Sequence, residues 1–137
     1  MSTFINISEA TTIAVHSLAL IANSKQIINA NKIARITKFS QNHLSKVLQI
    51  LVKHNYLSSL RGPTGGFTLI RQPNEISLYE IFKLIEGELQ SFQCTITCQD
   101  CYFDTCLFGN YPHQFTENFQ QYLMEKTLGD FKLKKVL

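Results

Sequence analysis

All four cysteines of the chain fall within one short stretch, CTITCQDCYFDTC, as Cys94, Cys98, Cys101 and Cys106. Thiols packed this densely, spaced C-x3-C-x2-C-x4-C, are ligands for a metal ion or an iron-sulfur cluster before they are disulfide partners. The N-terminus MSTFINISEATT carries no basic-then-apolar leader, so a reducing, cytoplasmic setting is expected. The spacing is neither the paired CxxC of a zinc ribbon nor a regular ferredoxin run. Three readings stay open: a cluster of the 2Fe-2S or 4Fe-4S type, a structural zinc ion, and a metal-free thiol-disulfide switch.

A loop of this kind needs a scaffold. The chain has 137 residues, enough for one core with an appended element. It has no uninterrupted apolar run of membrane-spanning length. Cys94, Cys98 and Cys101 also spell the C-x3-C-x2-C of radical enzymes that use S-adenosylmethionine, but a substrate barrel would need more chain and alternating strands and helices. An enzyme is therefore not expected. Between Lys25 and Arg71 there are eight basic residues and no Asp or Glu, although the whole chain carries a net charge of only +3. Such segregation predicts a surface that meets a polyanion. It also disfavours a small iron-sulfur electron carrier, the reading from a different class.

The periodicity predicts mainly α structure with one small hairpin. Residues 8–22 form a buried helix capped by Ser8, with Ile13, Val15, Leu18, Leu20 and Ile21 inward. A short helix over Asn31–Lys38 and a turn at Phe39 lead to a second helix opened by Ser40. There Leu44, Val47, Leu48 and Leu51 make a core stripe, and Gln41, Asn42, His43 and Lys46 face outward. This pair reads as a helix-turn-helix. The β-prone runs Tyr56–Arg61 and Phe67–Arg71, joined through Gly62, Pro63, Thr64, Gly65 and Gly66, read as its wing. Ser77 and Glu80 predict a capping box for a helix ending near Gly87. After the cysteines, Pro112 starts a last long helix whose Phe115, Phe119, Tyr122 and Leu123 stripe reads as a subunit interface. Thr127 caps a final short turn, and His54 and His113 read as plain surface residues.

The order Ser40 through LSKVLQILVKHNYLSSLRGPTGGFTLIRQP, then the capping-box helix ending Ile85-Glu86-Gly87, then the cysteine loop, resembles the Rrf2 family of bacterial winged-helix regulators, whose known branches include IscR-type and NsrR-type iron-sulfur sensors. The resemblance implies a homodimer joined through its long C-terminal helix on a pseudo-palindromic duplex DNA operator, with a cluster setting DNA affinity. It implies Cys94 and Cys106 as the outer ligands, with Cys98 or Cys101 as the middle one. The fourth ligand is then the remaining cysteine or a donor from the other subunit's first helix, His16 before Glu9. The IscR branch has a histidine where this chain has Gly109, so that position donates nothing.

The expected fold is thus a winged helix-turn-helix over residues 1–88, a cysteine-rich loop over 89–110 and a C-terminal dimerisation helix and tail over 111–137. The expected function is a cytoplasmic transcriptional repressor sensing nitric oxide, redox state or iron-sulfur supply. Gln41, Asn42, His43 and Lys46 would read bases, Ser40 would hold phosphate, and Arg61 would enter the minor groove. Gly65 and Gly66 would let the wing approach DNA closely. A regulator with structural zinc or a disulfide switch at the same cysteines is the alternative.

Overall fold

The computed structural model describes residues 6–91 and 94–137, so residues 1–5 of the expected first segment and 92–93 of the second lie outside the described residues. Five helices and one two-stranded antiparallel sheet follow in the order α1 (Glu9–Asn23), α2 (Ala30–Thr37), α3 (Gln41–Lys53), β1 (Leu57–Leu60), β2 (Gly66–Leu69), α4 (Leu78–Glu86) and α5 (Tyr111–Glu125).

Helix α1 starts where Ser8 Oγ accepts the Thr11 N–H at 3.2 Å, relieving one of the donors a helix start leaves unpaired. It is apolar on most of its circumference, and Ile13, Ala14, Leu18, Leu20 and Ile21 are buried. A helix of that composition has to be wrapped. Helices α3 and α4, strand β2 and the turn at Leu128 wrap it.

The helix-turn-helix forms from local signals. Asn29 caps α2 by accepting the Lys32 N–H at 2.9 Å. The helix ends at Lys38, whose left-handed φ of 65° reverses the chain and sends its N–H to the Ala34 carbonyl. Only Phe39 and Ser40 then separate Lys38 from α3, which fixes a tight crossing. Leu44, Val47, Leu48 and Leu51 of α3 are all buried, as their spacing predicts.

The wing pairs Leu57 with Leu69 and Leu60 with Gly66. It is also tied to the segment before α2, because the Phe67 N–H donates to the Ile28 carbonyl at 2.9 Å. This contact explains the two glycines at its tip. A Cβ on Gly65 would lie 2.0 Å from the Leu60 carbonyl oxygen, and one on Gly66 would lie 2.5 Å from that of Ile28. The close approach they allow is to the chain itself.

At the base of the wing, Arg71 donates to both Glu80 and the Glu75 carbonyl and lies over the Tyr56 ring at 5.8 Å. Glu80 is also the far half of the Ser77 capping box that starts α4. Arg71 therefore belongs to the scaffold although it falls in the acid-free basic segment.

Helix α5 begins with Pro112 in its first turn. Its apolar stripe divides. Leu123 is buried, and Phe119 meets Phe82 of α4 edge-on at 6.1 Å, whereas Phe115 and Tyr122 stay exposed. Beyond α5 the chain returns to the winged unit. The Leu78 N–H donates to the Lys126 carbonyl at 2.9 Å and the Leu128 N–H to the Ile76 carbonyl at 3.0 Å. Thr127 and Asp130 close a capping box around a 3-10 turn at Leu128–Asp130, and Asn23 donates to the Phe131 carbonyl. Among the described residues no helix is long and apolar enough to cross a membrane.

Replacing Gly65 by Ala forces the wing tip off the Leu60 carbonyl and is expected to cost roughly 2 kcal/mol. Urea unfolding would show a lower midpoint at an unchanged slope. An unchanged midpoint would mean that the tip is free to shift.

Candidate nucleic-acid interface and thiol loop

The outer face of α3 presents Gln41, Asn42, Ser45 and Lys46 to solvent. Ser40 Oγ accepts the His43 N–H at 3.5 Å as the helix cap, which leaves its O–H free to donate to a phosphate. The Gln41 amide donates to Asn31 Oδ1 and so links the start of α3 to α2. His43 is half-buried, with Nδ1 3.6 Å from a carboxylate oxygen of Glu9. This pair links the expected reading face to α1.

Arg61 is exposed at the wing. With Asn29, Asn31, Gly62 and Pro63 it lines an open groove of about 500 Å³ between the wing and the first turn of α2. A guanidinium on one wall and amide side chains at a helix start on the other make a surface suited to a phosphate backbone. Ser40, Gln41, Asn42, Lys46 and Arg61 thus lie on exposed surface, His43 is partly committed to Glu9, and Gly65 and Gly66 shape the wing from within.

The cysteines are arranged differently. All four thiols are free; Cys94, Cys98 and Cys106 are exposed and Cys101 is half-buried. Among the described residues, no three His, Cys, Asp or Glu side chains converge as a metal site. The donor chemistry still fits an iron-sulfur cluster or zinc, because four soft thiols sit on one loop. The loop has to close to bring them together.

Its parts are held unevenly. Around Cys98, the Thr97 hydroxyl donates to Asp100 at 2.7 Å in a local turn. Near its end, backbone N–H groups of Asn110, Phe108 and Gly109 hold the Cys106 thiol below the ordinary thiol range. At its mouth, Ser91 and His113 are hydrogen-bonded at 2.5 Å, and the other nitrogen of His113 lies 3.0 Å from Glu117. His113 therefore staples the two ends of the loop, which the sequence did not indicate. An i,i+4 spacing from Glu117 was its one local signal.

Glu86 is the other residue the sequence left unexplained. A carboxylate in the last turn of α4 opposes that helix's own dipole. Here it also reaches the start of α1, where its Oε1 accepts from the Ser8 N–H at 2.9 Å and the Thr11 hydroxyl at 2.6 Å. Side-chain hydrogen bonds from Ser8 and Thr11 hold its carboxyl below the ordinary glutamate range. The end of α4, from which the chain runs on to the cysteine loop, is thereby tied to α1, the helix that carries Glu9 towards His43.

His16 is exposed on α1. Its Nδ1 lies 2.7 Å from the Thr12 carbonyl, so the ring N–H there donates and in the neutral ring Nε2 keeps its lone pair. The ring also meets Phe39, at the helix-turn-helix turn, edge-on at 6.1 Å.

Residues 7–132 match a family model described as "Rrf2: Iron-dependent Transcriptional regulator". The HTH-type transcriptional regulator NsrR of Shouchella clausii is 28% identical over 114 residues, covering 80% of this chain and 75% of its own. Two solved structures share the fold. CymR, titled the global cysteine regulator of B. subtilis, superposes with a TM-score of 0.74 at 19% identity over 92% of this chain and 95% of its own. IscR of T. potens superposes at 0.69 with 22% identity over 92% and 85%.

The Glu86 contacts make a signed prediction. A carboxyl held below its ordinary value contributes stability that is present above that value, near 4.5, and is lost as pH falls through the lowered one. Glu86→Gln should therefore be less stable than the wild type at neutral pH, and the gap should close below about pH 4.5. Thermal melts of both proteins across pH would measure it. A gap that stays constant with pH would assign the loss to packing instead.

Proposed function

Because the chain belongs to the Rrf2 family of transcriptional regulators, we propose that it is a homodimeric, sequence-specific DNA-binding repressor in the cytoplasm whose affinity for its operator is set by an iron-sulfur cluster in the cysteine loop. The observation that carries this reading is the root of that loop. The chain runs to the four thiols from the end of α4, where the Glu86 carboxylate is hydrogen-bonded to the start of α1, and α1 packs against the recognition helix.

On DNA, the exposed amides and Lys46 of α3 face base edges in the major groove, while Arg61 and the α2 groove take phosphates and the flanking minor groove. In the loop, Cys94 and Cys106 are the outer ligands and Cys98 and Cys101 complete the set. His16 of a second copy is the alternative fourth donor. When bound, the cluster supplies a centre that reacts with nitric oxide and oxidants. The protein's part is mechanical. Closing the loop draws on the Ser91–His113 staple across its mouth and on Glu86 before it, and Glu86 bears on α1 and through Glu9 on His43.

Dimerisation is supported by apolar surface. Phe103, Leu107, Tyr111, Phe115, Tyr122 and Met124 of the loop and α5 are all more than two-fifths exposed, a concentration that fits a partner surface. Two recognition units held this way must stand about 34 Å apart, one helical turn of DNA. A change in loop order at the interface alters that spacing as a shift between two dimer populations.

A second reading keeps the DNA-binding unit and removes the cluster. It is favoured by the exposure of Cys94, Cys98 and Cys106 and by the backbone N–H groups that hold the Cys106 thiol below its ordinary range, which favour its reactive thiolate form. Anaerobic purification followed by iron, sulfide and zinc analysis separates the two. The cluster predicts iron and acid-labile sulfide together, both lost in Cys94→Ser. Stoichiometric zinc alone would sink it, and a metal-free protein that forms an internal disulfide on oxidation would establish the second reading.

A further inference from the structure

The C-terminal segment carries clustered positive charge. After the turn at Leu128–Asp130 the sequence runs Phe131, Lys132, Leu133, Lys134, Lys135. Phe131 and Leu133 are half-buried and pack against the core, and Asn23 at the end of α1 donates to the Phe131 carbonyl. This fixes where the following lysines lie. Lys134 and Lys135 share one groove of about 480 Å³ with Lys25 of the α1–α2 connector and Lys32 in the first turn of α2. Its lining includes no Asp or Glu.

Four lysines around one groove with no acidic side chain in its lining favour an anion there. The position of the groove indicates which anion. The first turn of α2 forms part of two grooves: Asn29 and Asn31 face Arg61 and the wing, and Lys32 faces the C-terminal lysines. A duplex seated on α3 and the wing passes the start of α2, and the next phosphates along its flank meet the lysine groove. We propose that Lys134 and Lys135, together with Lys25 and Lys32, form a second DNA-backbone site that grips the duplex outside the segment read by the recognition helix and the wing. This rests on the DNA-binding function proposed above and extends it. The tail that closes the fold behind α5 also binds flanking DNA.

Such a site contributes through phosphate neutralisation, which is independent of sequence, so a random-sequence duplex is a sufficient probe. The full-length protein and its Lys134→Gln/Lys135→Gln variant would be titrated with that duplex over a range of salt concentrations. Each phosphate contact adds about 0.9 to the slope of log affinity against log salt, so the variant should bind more weakly with a slope shallower by about 1.8 per bound chain. The Lys134→Arg/Lys135→Arg variant keeps the charge and should retain the wild-type slope. A Gln variant with wild-type slope and affinity would overturn the site while leaving the DNA-binding reading intact. A wild type that binds no duplex would overturn both. Loss of binding to vesicles containing phosphatidylserine, with duplex affinity unchanged, would reassign the lysines to a membrane surface and also overturn the proposal.

Discussion

Burial of α1 is the constraint on which the remaining elements depend. The helix is too apolar to stand at a surface, and Ile13, Leu18 and Ile21 each contribute roughly 1.5–3 kcal/mol only when covered. Covering them takes the recognition helix, α4, the wing strand β2 and the turn at Leu128 together. The helix-turn-helix with its wing and the elements that lead to the cysteine loop thus share one core. A displacement of α1 cannot be absorbed on one side alone, because close-packed interiors transmit strain.

Charge placement follows the same logic. Glu86 would oppose the dipole of its own helix, yet beside the first turn of α1 it meets unpaired donors and a favourable dipole. Glu9, one residue into α1, faces His43 on the recognition helix. Arg71, though exposed, is tied to Glu80 and lies over Tyr56, while Arg61 lines the open groove beside the wing. Within the acid-free segment, then, local geometry separates a cation that holds the scaffold from one that lines the open wing groove.

The winged helix-turn-helix was legible because its signals are local. The Leu44, Val47, Leu48 and Leu51 stripe, the caps at Ser8, Ser40 and Ser77, and the turn chemistry of the wing each act within a few residues. Contacts made across the chain left no such trace. Glu86 meets partners 75 and 78 residues away, His113 meets Ser91 across the cysteine loop, and the return of Leu128 to Ile76 depends on where α5 ends. Gly65 and Gly66 suggested close approach, but only the fold shows that the Leu60 and Ile28 carbonyls make it. The α5 stripe gave the helix and not its partners, since four apolar positions do not reveal that Leu123 and Phe119 turn inward while Phe115 and Tyr122 remain outside. Cysteine spacing named a donor set, and its convergence depends on a loop conformation that spacing does not encode.

The central claim is that the state of the cysteine loop is read at the DNA surface through α1. Its most direct test compares operator affinity before and after loop closure, using a duplex selected by the protein from a random pool. Protein reconstituted anaerobically with iron and sulfide would be titrated against that duplex beside the same preparation stripped by a chelator. Coupling of the usual strength for linked sites, about 3 kcal/mol, predicts affinities differing by about a hundredfold. Equal affinities in the two states, with the cluster present in one and absent in the other, would contradict the account.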